Sequence, residues 1–158
     1  DDLLLFWSVM MGDAAIAGDI AGRFDHVLVD EYQDTNRLQA AILLALKPDG
    51  QGVTVVGDDA QSIYSFRAAT VRNILEFPTS FSPAATIVTL EQNYRSTAPI
   101  LAAANAVIAE SPERFAKELW TSRQSEAKPR LVTVKDEATQ ANYVVAQVLE
   151  TREGGVPL

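Results

Sequence analysis

The sequence predicts an α/β fold, a mostly parallel sheet with helices on its faces, and three observations predict it. Val27-Leu28-Val29, Val53-Thr54-Val55-Val56 and Thr86-Ile87-Val88-Thr89-Leu90 are short β-branched, apolar runs without alternation, as in strands covered on both faces. Helical patterns separate these runs, giving β-α-β-α-β, the repeating unit of a doubly wound sheet. Two of the runs end in clustered polar residues, Asp30-Glu31-Tyr32-Gln33-Asp34 and Gly57-Asp58-Asp59, and the carboxyl edge of an open α/β sheet is where ligands bind.

Taken in order, Leu3 to Met11 is almost uninterrupted apolar sequence, readable as a buried helix or a strand and ended by Gly12. Ala14 to Gly22 is a stretch of small residues leading into the first strand. Arg37 to Leu46 is expected to be helical, since Leu38, Ile42 and Leu46 fall at fourfold spacing and Pro48, Gly50 and Gly52 follow. Thr70 to Phe77 reads as a short helix closed by Pro78. After the third strand, Ser96 or Thr97 can cap a helix running to about Ala109, with Ile100, Leu101, Ala104, Val107 and Ile108 on one face. Ser111 to Pro129 is a polar loop, Leu131 to Val134 a strand, and Ala138 to Glu150 a helix with Val144, Val145, Val148 and Leu149 turned inward.

With 158 residues, the chain has the length of one ordinary domain or of parts of two, and its 47% hydrophobic content suffices for a core. It has no cysteine, so disulfides and thiolate metal sites are excluded, which fits a reducing compartment. The opening Asp1-Asp2-Leu3-Leu4-Leu5-Phe6-Trp7 lacks the basic start of a signal peptide, and no apolar run approaches the ~20 residues of a membrane span. A soluble, cytoplasmic protein is the expectation, without a membrane partner. A net charge of −8 excludes a generally basic surface, so any nucleic-acid contact has to be local or made by stacking.

An Asp-Glu pair at the end of a buried strand has the character of a Walker B strand. One carboxylate can hold Mg²⁺ while its neighbour orients or deprotonates a water. The same pair could equally be an acidic turn favoured at the start of the helix near Arg37. The longer strings decide the matter. Asp-Glu-Tyr-Gln-Asp-Thr from Asp30 resembles motif II of the superfamily 1 helicases of the UvrD/Rep/PcrA type. Gly57-Asp58-Asp59-Ala60-Gln61-Ser62-Ile63-Tyr64-Ser65-Phe66-Arg67-Ala68 resembles motif III, and Leu90-Glu91-Gln92-Asn93-Tyr94-Arg95-Ser96-Thr97 resembles motif IV. The resemblance continues through Lys117-Glu118-Leu119-Trp120-Thr121 and covers nearly the whole chain.

The resemblance implies a RecA-like P-loop NTPase sheet, with residues 1–92 forming the C-terminal half of a first RecA-like domain and 93–158 the start of a second. It implies Mg²⁺ and ATP as cofactors. Asp30 would hold the metal, Glu31 would act as catalytic base, and Gln61 and Arg95 would approach the γ-phosphate. Tyr94 would stack on adenine, while Tyr64, Phe66 and Arg67 would meet single-stranded DNA. Phe66 stands where the family often has Trp, and Ala68 where it often has Gly. The sole histidine, His26, has no assigned chemistry. No Gly-x-x-x-x-Gly-Lys-[Ser/Thr] string occurs, so the 158 residues read as an internal piece of a longer helicase, inactive alone and completed by the remaining helicase domains. The expected activity of the parent is ATP-driven translocation on single-stranded DNA and duplex unwinding in repair or replication. The alternatives are the helicase part of a helicase-nuclease subunit and a silent interaction module.

Overall fold

A computed structural model describes residues 2–157 except the Arg67 side chain, so the DNA contact expected of Arg67 falls outside the described residues. The described residues form a mixed α/β structure of six α-helices and a small parallel sheet. Helix α1 (Asp2–Met10) meets α2 (Ala14–Ala21) at 102°. Asp13 makes the corner, its carboxylate accepting from the backbone N–H groups of Ala15 (2.9 Å) and Ile16 (3.2 Å). That side-chain cap, followed by alanines, turns the small-residue stretch into a helix. The expectation of a buried first helix is corrected: α1 packs on α3, yet Leu3, Phe6 and Val9 are exposed and only the following Met11 is buried. No single helix among the described residues is long and apolar enough to cross a membrane.

Strand β1 (Val27–Val29) pairs in parallel with β2 (Val53–Val55), in the register Val27 to Val53, Leu28 to Thr54 and Val29 to Val55. Helix α3 (Arg37–Leu46) is the crossover between them. A capping box starts it: Asn36 Oδ1 accepts from the Gln39 N–H (3.0 Å), and Gln39 Oε1 accepts from the Asn36 N–H (2.9 Å). Because strand side chains alternate, Val27, Val29, Val53 and Val55 point to one face. There they cover a core of Tyr32, Leu43, Ile74 and Phe77. The Phe77 ring lies 5.2 Å from Tyr32 and 5.2 Å from Phe81, edge-on to both. Leu28, on the other face, is 77% exposed.

Helix α4 (Arg72–Glu76) is not stopped by Pro78. It tightens into a 3-10 turn, Phe77–Ser80, because proline fits the first positions of a turn, where its missing N–H is not needed. Two expected strands are absent: Thr86 to Leu90 and Leu131 to Val134 are irregular. A strand exists through its ladder, and among the described residues these runs find no ladder partner. Ile87, Val88, Leu90 and Leu131 stay exposed. One parallel bridge, Gln92 to Trp120, follows the first run. Helix α5 (Ala98–Ala109) begins at Thr97, as the capping signal implied, but without a side-chain cap from that residue. Helix α6 (Glu137–Glu153) is longer than expected because Asp136 caps it. Its Val144, Val145, Val148 and Leu149 are exposed, correcting their expected inward packing.

Candidate functional site

The acids leave β1 through a backbone that few residues adopt. Glu31 has φ 50° and ψ 43°, the left-handed region, which costs an L-residue roughly 1–2 kcal/mol. Such strain persists only where the surroundings enforce it. Here the Tyr32 N–H donates to the Val56 carbonyl (2.9 Å), and the Tyr32 ring is buried in the core. The chain is thus fixed one residue beyond Glu31, while Asp30 and Glu31 remain exposed. Asp30 Oδ1 accepts from the Glu31 N–H at 2.9 Å. Burial pushes the Tyr32 hydroxyl above its ordinary pKa, so this residue is a neutral anchor rather than an acid.

Gln33, at 1% exposure, joins the two acidic loops. Its Nε2 donates to Glu31 Oε2 (2.6 Å), its Oε1 accepts from the Asp58 N–H (3.0 Å), and its carbonyl accepts from the Ser62 hydroxyl (3.3 Å). Gly57 makes the approach possible. A Cβ there would lie 2.6 Å from Gln33 Oε1, 2.7 Å from Ile74 Cδ1 and 3.2 Å from the Tyr32 nitrogen. Asn73 of α4 secures the far side, its Nδ2 donating to the carbonyls of Thr35 (3.0 Å) and Asn36 (3.1 Å).

Beyond β2 the Asp58 carboxylate has three partners. Its Oδ1 accepts from the Ala60 N–H (3.1 Å) and from Lys117, and its Oδ2 accepts from Gln61 Nε2 (2.8 Å). Lys117 also donates to Asp59 Oδ1 (2.9 Å), and Asp59 Oδ2 accepts from the Phe115 N–H (3.1 Å). Burial opposes the charge on Asp58, but the hydrogen bonds from Gln61 and Lys117, the lysine charge and the Ala60 N–H outweigh it and hold this carboxyl below the usual range. Burial likewise disfavours the charged Lys117, and Asp58 and Asp59 more than compensate, raising its pKa. The signs define a window. The depressed acid stabilises the fold above the ordinary carboxylate pKa of about 4, and the raised amine does so below the ordinary lysine value of about 10. This cluster is therefore intact throughout the physiological range.

The loop continues to Tyr64 and Phe66, whose rings lie 5.8 Å apart with planes inclined at 50°. Phe66 is 75% exposed, an aromatic placed toward solvent rather than in the core. Ala68 ends this turn in the left-handed region, φ 62° and ψ 14°. Glycine adopts that conformation without the Cβ clash, at some cost in unfolded-state entropy. We expect Ala68→Gly to stabilise the chain by about 0.5–1 kcal/mol, seen as a higher urea midpoint at unchanged slope. A neutral or lowered midpoint would mean that the turn relaxes to accommodate the Cβ.

Tyr94 and Arg95 are held by other contacts. Asn93 Oδ1 accepts from the N–H groups of Arg95 (2.9 Å) and Ser96 (2.7 Å), and Arg123 donates to the carbonyls of Tyr94 (3.1 Å) and Arg95 (2.8 Å). The Tyr94 hydroxyl donates to Gln92 Oε1 (2.8 Å), and its ring is 75% exposed. Among the described residues no hydrogen bond or ion pair joins the side chains of Tyr94 or Arg95 to Asp30, Glu31 or Gln61. The structure therefore brings Asp30, Glu31 and Gln61 into one bonded cluster and leaves Tyr94 and Arg95 in a second, neighbouring loop system.

Among the described residues no three His, Cys, Asp or Glu side chains gather into a metal-binding group. A single exposed carboxylate is nevertheless a suitable donor for Mg²⁺, which keeps several waters and takes its other ligands from substrate phosphates. Asp30 meets that requirement. Sequence reasoning missed Gln33, Asp58, Asp59 and Lys117 as parts of the site. Gln33 and Gly57-Asp58-Asp59, each in a polar cluster at the end of a strand, carried a local signal, but nothing along the chain links Lys117 to Asp58, 59 residues away.

Comparison with known proteins agrees with the motif strings. Residues 1–82 match the UvrD/REP helicase N-terminal domain, and residues 88–156 match the UvrD-like helicase C-terminal domain. DNA helicase II of Escherichia coli is 44% identical over 133 residues, which is 84% of this chain and 18% of that protein. ATP-dependent DNA helicase PcrA of Staphylococcus epidermidis is 42% identical over 133 residues, again 84% of this chain and 18% of that protein. A probable DNA helicase II homolog of Rickettsia felis is 44% identical over 126 residues, 80% of this chain and 19% of that protein. The chain thus spans about a fifth of the length of these relatives.

Proposed function

The chain belongs to the UvrD/Rep/PcrA family of DNA helicases, and from that premise we propose that it carries the hydrolytic and coupling loops of an ATP-driven motor on single-stranded DNA. The observation that supports this most is the unbroken hydrogen-bonded path Glu31–Gln33–Asp58–Gln61, which ties a strand-end carboxylate to an amide on the next loop. Hydrolysis of a phosphoanhydride needs a positioned water and donors aimed at the developing charge. Glu31, exposed and turned outward by its left-handed backbone, is the base that takes the proton of the attacking water. Gln61 spends one of its two amide N–H donors on Asp58, which leaves the second N–H and the carbonyl for the γ-phosphate and the water. Arg95 supplies a cation to the γ-phosphate, and Tyr94 offers its exposed ring to adenine.

Asp30 would hold Mg²⁺, which would supply positive charge against the phosphates. Residues 1–92 are part of a first RecA-like domain and 93–158 the beginning of a second, acting in the cytoplasm with the rest of a longer polypeptide. Tyr64 and Phe66 meet the bases of a single strand, since stacking is indifferent to sequence and needs no basic surface. That reconciles DNA binding with the net charge of −8. In the full-length polypeptide, single-stranded DNA should stimulate ATP hydrolysis. Phe66→Ala should weaken single-strand binding by about 1–3 kcal/mol and lower the stimulated rate more than the basal one. Equal losses of both rates would make Phe66 a packing residue, and a parent without any DNA-dependent ATPase would remove the motor reading.

A further inference from the structure

We propose that Lys117 is a positioning residue for ATP hydrolysis, holding the Gln61 amide through the Asp58 carboxylate. The inference rests on the function proposed above and adds to it a residue from a different part of the chain. Lys117 lies in the stretch matched by the C-terminal helicase domain, whereas Asp58, Asp59 and Gln61 lie in the stretch matched by the N-terminal one.

The geometry is specific. Lys117 Nζ donates to Asp58 Oδ1 and to Asp59 Oδ1, and its side chain is only 15% exposed, as are the carboxylates it meets at 29% and 3%. Asp58 Oδ2 is the acceptor for Gln61 Nε2, so the lysine and the glutamine share one carboxylate. Gln61 itself is exposed, and this bond is what limits the rotation of its amide. Withdrawing the ammonium leaves two adjacent, largely desolvated carboxylates facing one another. Their repulsion moves Asp58, and Gln61 moves with it. The raised pKa of Lys117 and the lowered pKa of Asp58 agree with a fully ionised link at neutral pH.

The segment bearing Lys117 is itself fixed at both ends. Phe115 donates its N–H to Asp59 (3.1 Å), and the Leu119 N–H and carbonyl are bonded to the Asn105 side chain of α5 at 3.2 and 2.9 Å. Displacement of the second part of the chain relative to the first therefore acts directly on Asp58 and, through it, on Gln61. Lys117 needs no contact with nucleotide to affect the rate.

The test uses the full-length polypeptide and compares wild type, K117M, K117R, D58N and the K117M/D58N double variant, with Glu31→Gln as the inactive control. DNA-stimulated kcat, KM for ATP and melting temperature are measured for each. K117M should lower kcat on the order of tenfold or more, the scale for a displaced catalytic contact, with KM changed less than about threefold. K117R should recover most of the loss, because a guanidinium still reaches both carboxylates. D58N and the double variant should have the same kcat, since Lys117 acts only through Asp58. Wild-type kcat in K117M would overturn the proposal, as would additive losses in the double variant. A lowered melting temperature with full kcat per folded molecule, in K117M or K117R, would make Lys117 a structural anchor and likewise overturn it. A wild-type protein without ATPase would sink the functional reading and this proposal together, whereas an active wild type, a dead Glu31→Gln and an active K117M would sink this proposal alone.

Discussion

Glu31→Gln in the full-length polypeptide is expected to lower ATP turnover by at least ~10²-fold while leaving Mg-ATP binding within about threefold of wild type. The two halves of this expectation have separate causes. Glutamine keeps the volume of the side chain and its carbonyl oxygen, which can still accept from Gln33 Nε2 at the position where Glu31 Oε2 now does so at 2.6 Å. The strained turn is therefore retained, and with it Asp30, the carboxylate proposed to hold the metal. The lost element is the basic oxygen proposed to take a proton from water. Stopped-flow binding of a fluorescent ATP analogue and a phosphate-release assay on the same preparation separate the two effects. Near-normal turnover would remove Glu31 from the role of base, and a parallel loss of binding would show that the charge acts chiefly on the metal.

Phe77→Ala should destabilise the chain by about 3–5 kcal/mol, the range for deleting a large aromatic from a packed core. Phe77 is buried, and its ring stands edge-on to both Tyr32 and Phe81 while α4 and the sheet valines close around it. The cavity cannot simply collapse. Tyr32 is held by the bond from its N–H to the Val56 carbonyl, and Ile74 is crowded against Gly57. Urea titration should show a lower midpoint at similar slope, whereas Phe77→Leu should lose less than half as much. Since Tyr32 fixes the residue after Glu31, the same substitution should also loosen the acidic loop, seen as faster amide exchange from residue 31 to 34. A loss under about 1 kcal/mol would mean that the core lies elsewhere.

Local signals made much of this molecule legible. The crossover β1–α3–β2 follows from two apolar runs, the fourfold spacing of Leu38, Ile42 and Leu46 and the breakers after Leu46, and its acids lie where the first apolar run ends. Helix α5 was readable for the same reason. The runs Thr86 to Leu90 and Leu131 to Val134 were not, because β propensity describes a willingness to pair and these segments meet no partner among the described residues. The inward face assigned to α6 failed in the same way: periodicity locates an apolar stripe without supplying a surface to cover it.

At the candidate site, the sequence by itself supplied the order of Asp30, Glu31, Gln61, Tyr64, Phe66, Tyr94 and Arg95, since these sit in contiguous strings that resemble the family's motifs. The tertiary structure decided which of them are bonded together. Gln33 is a buried bridge only because Gly57 lets two loops approach, and Ala68 is strained only because its turn closes on Ser65. Lys117 enters the cluster from 59 residues away. Side-chain chemistry is local and survives in the string of letters, but desolvation and ion pairing depend on what folding places within a few ångströms, and no spacing along the chain encodes that distance.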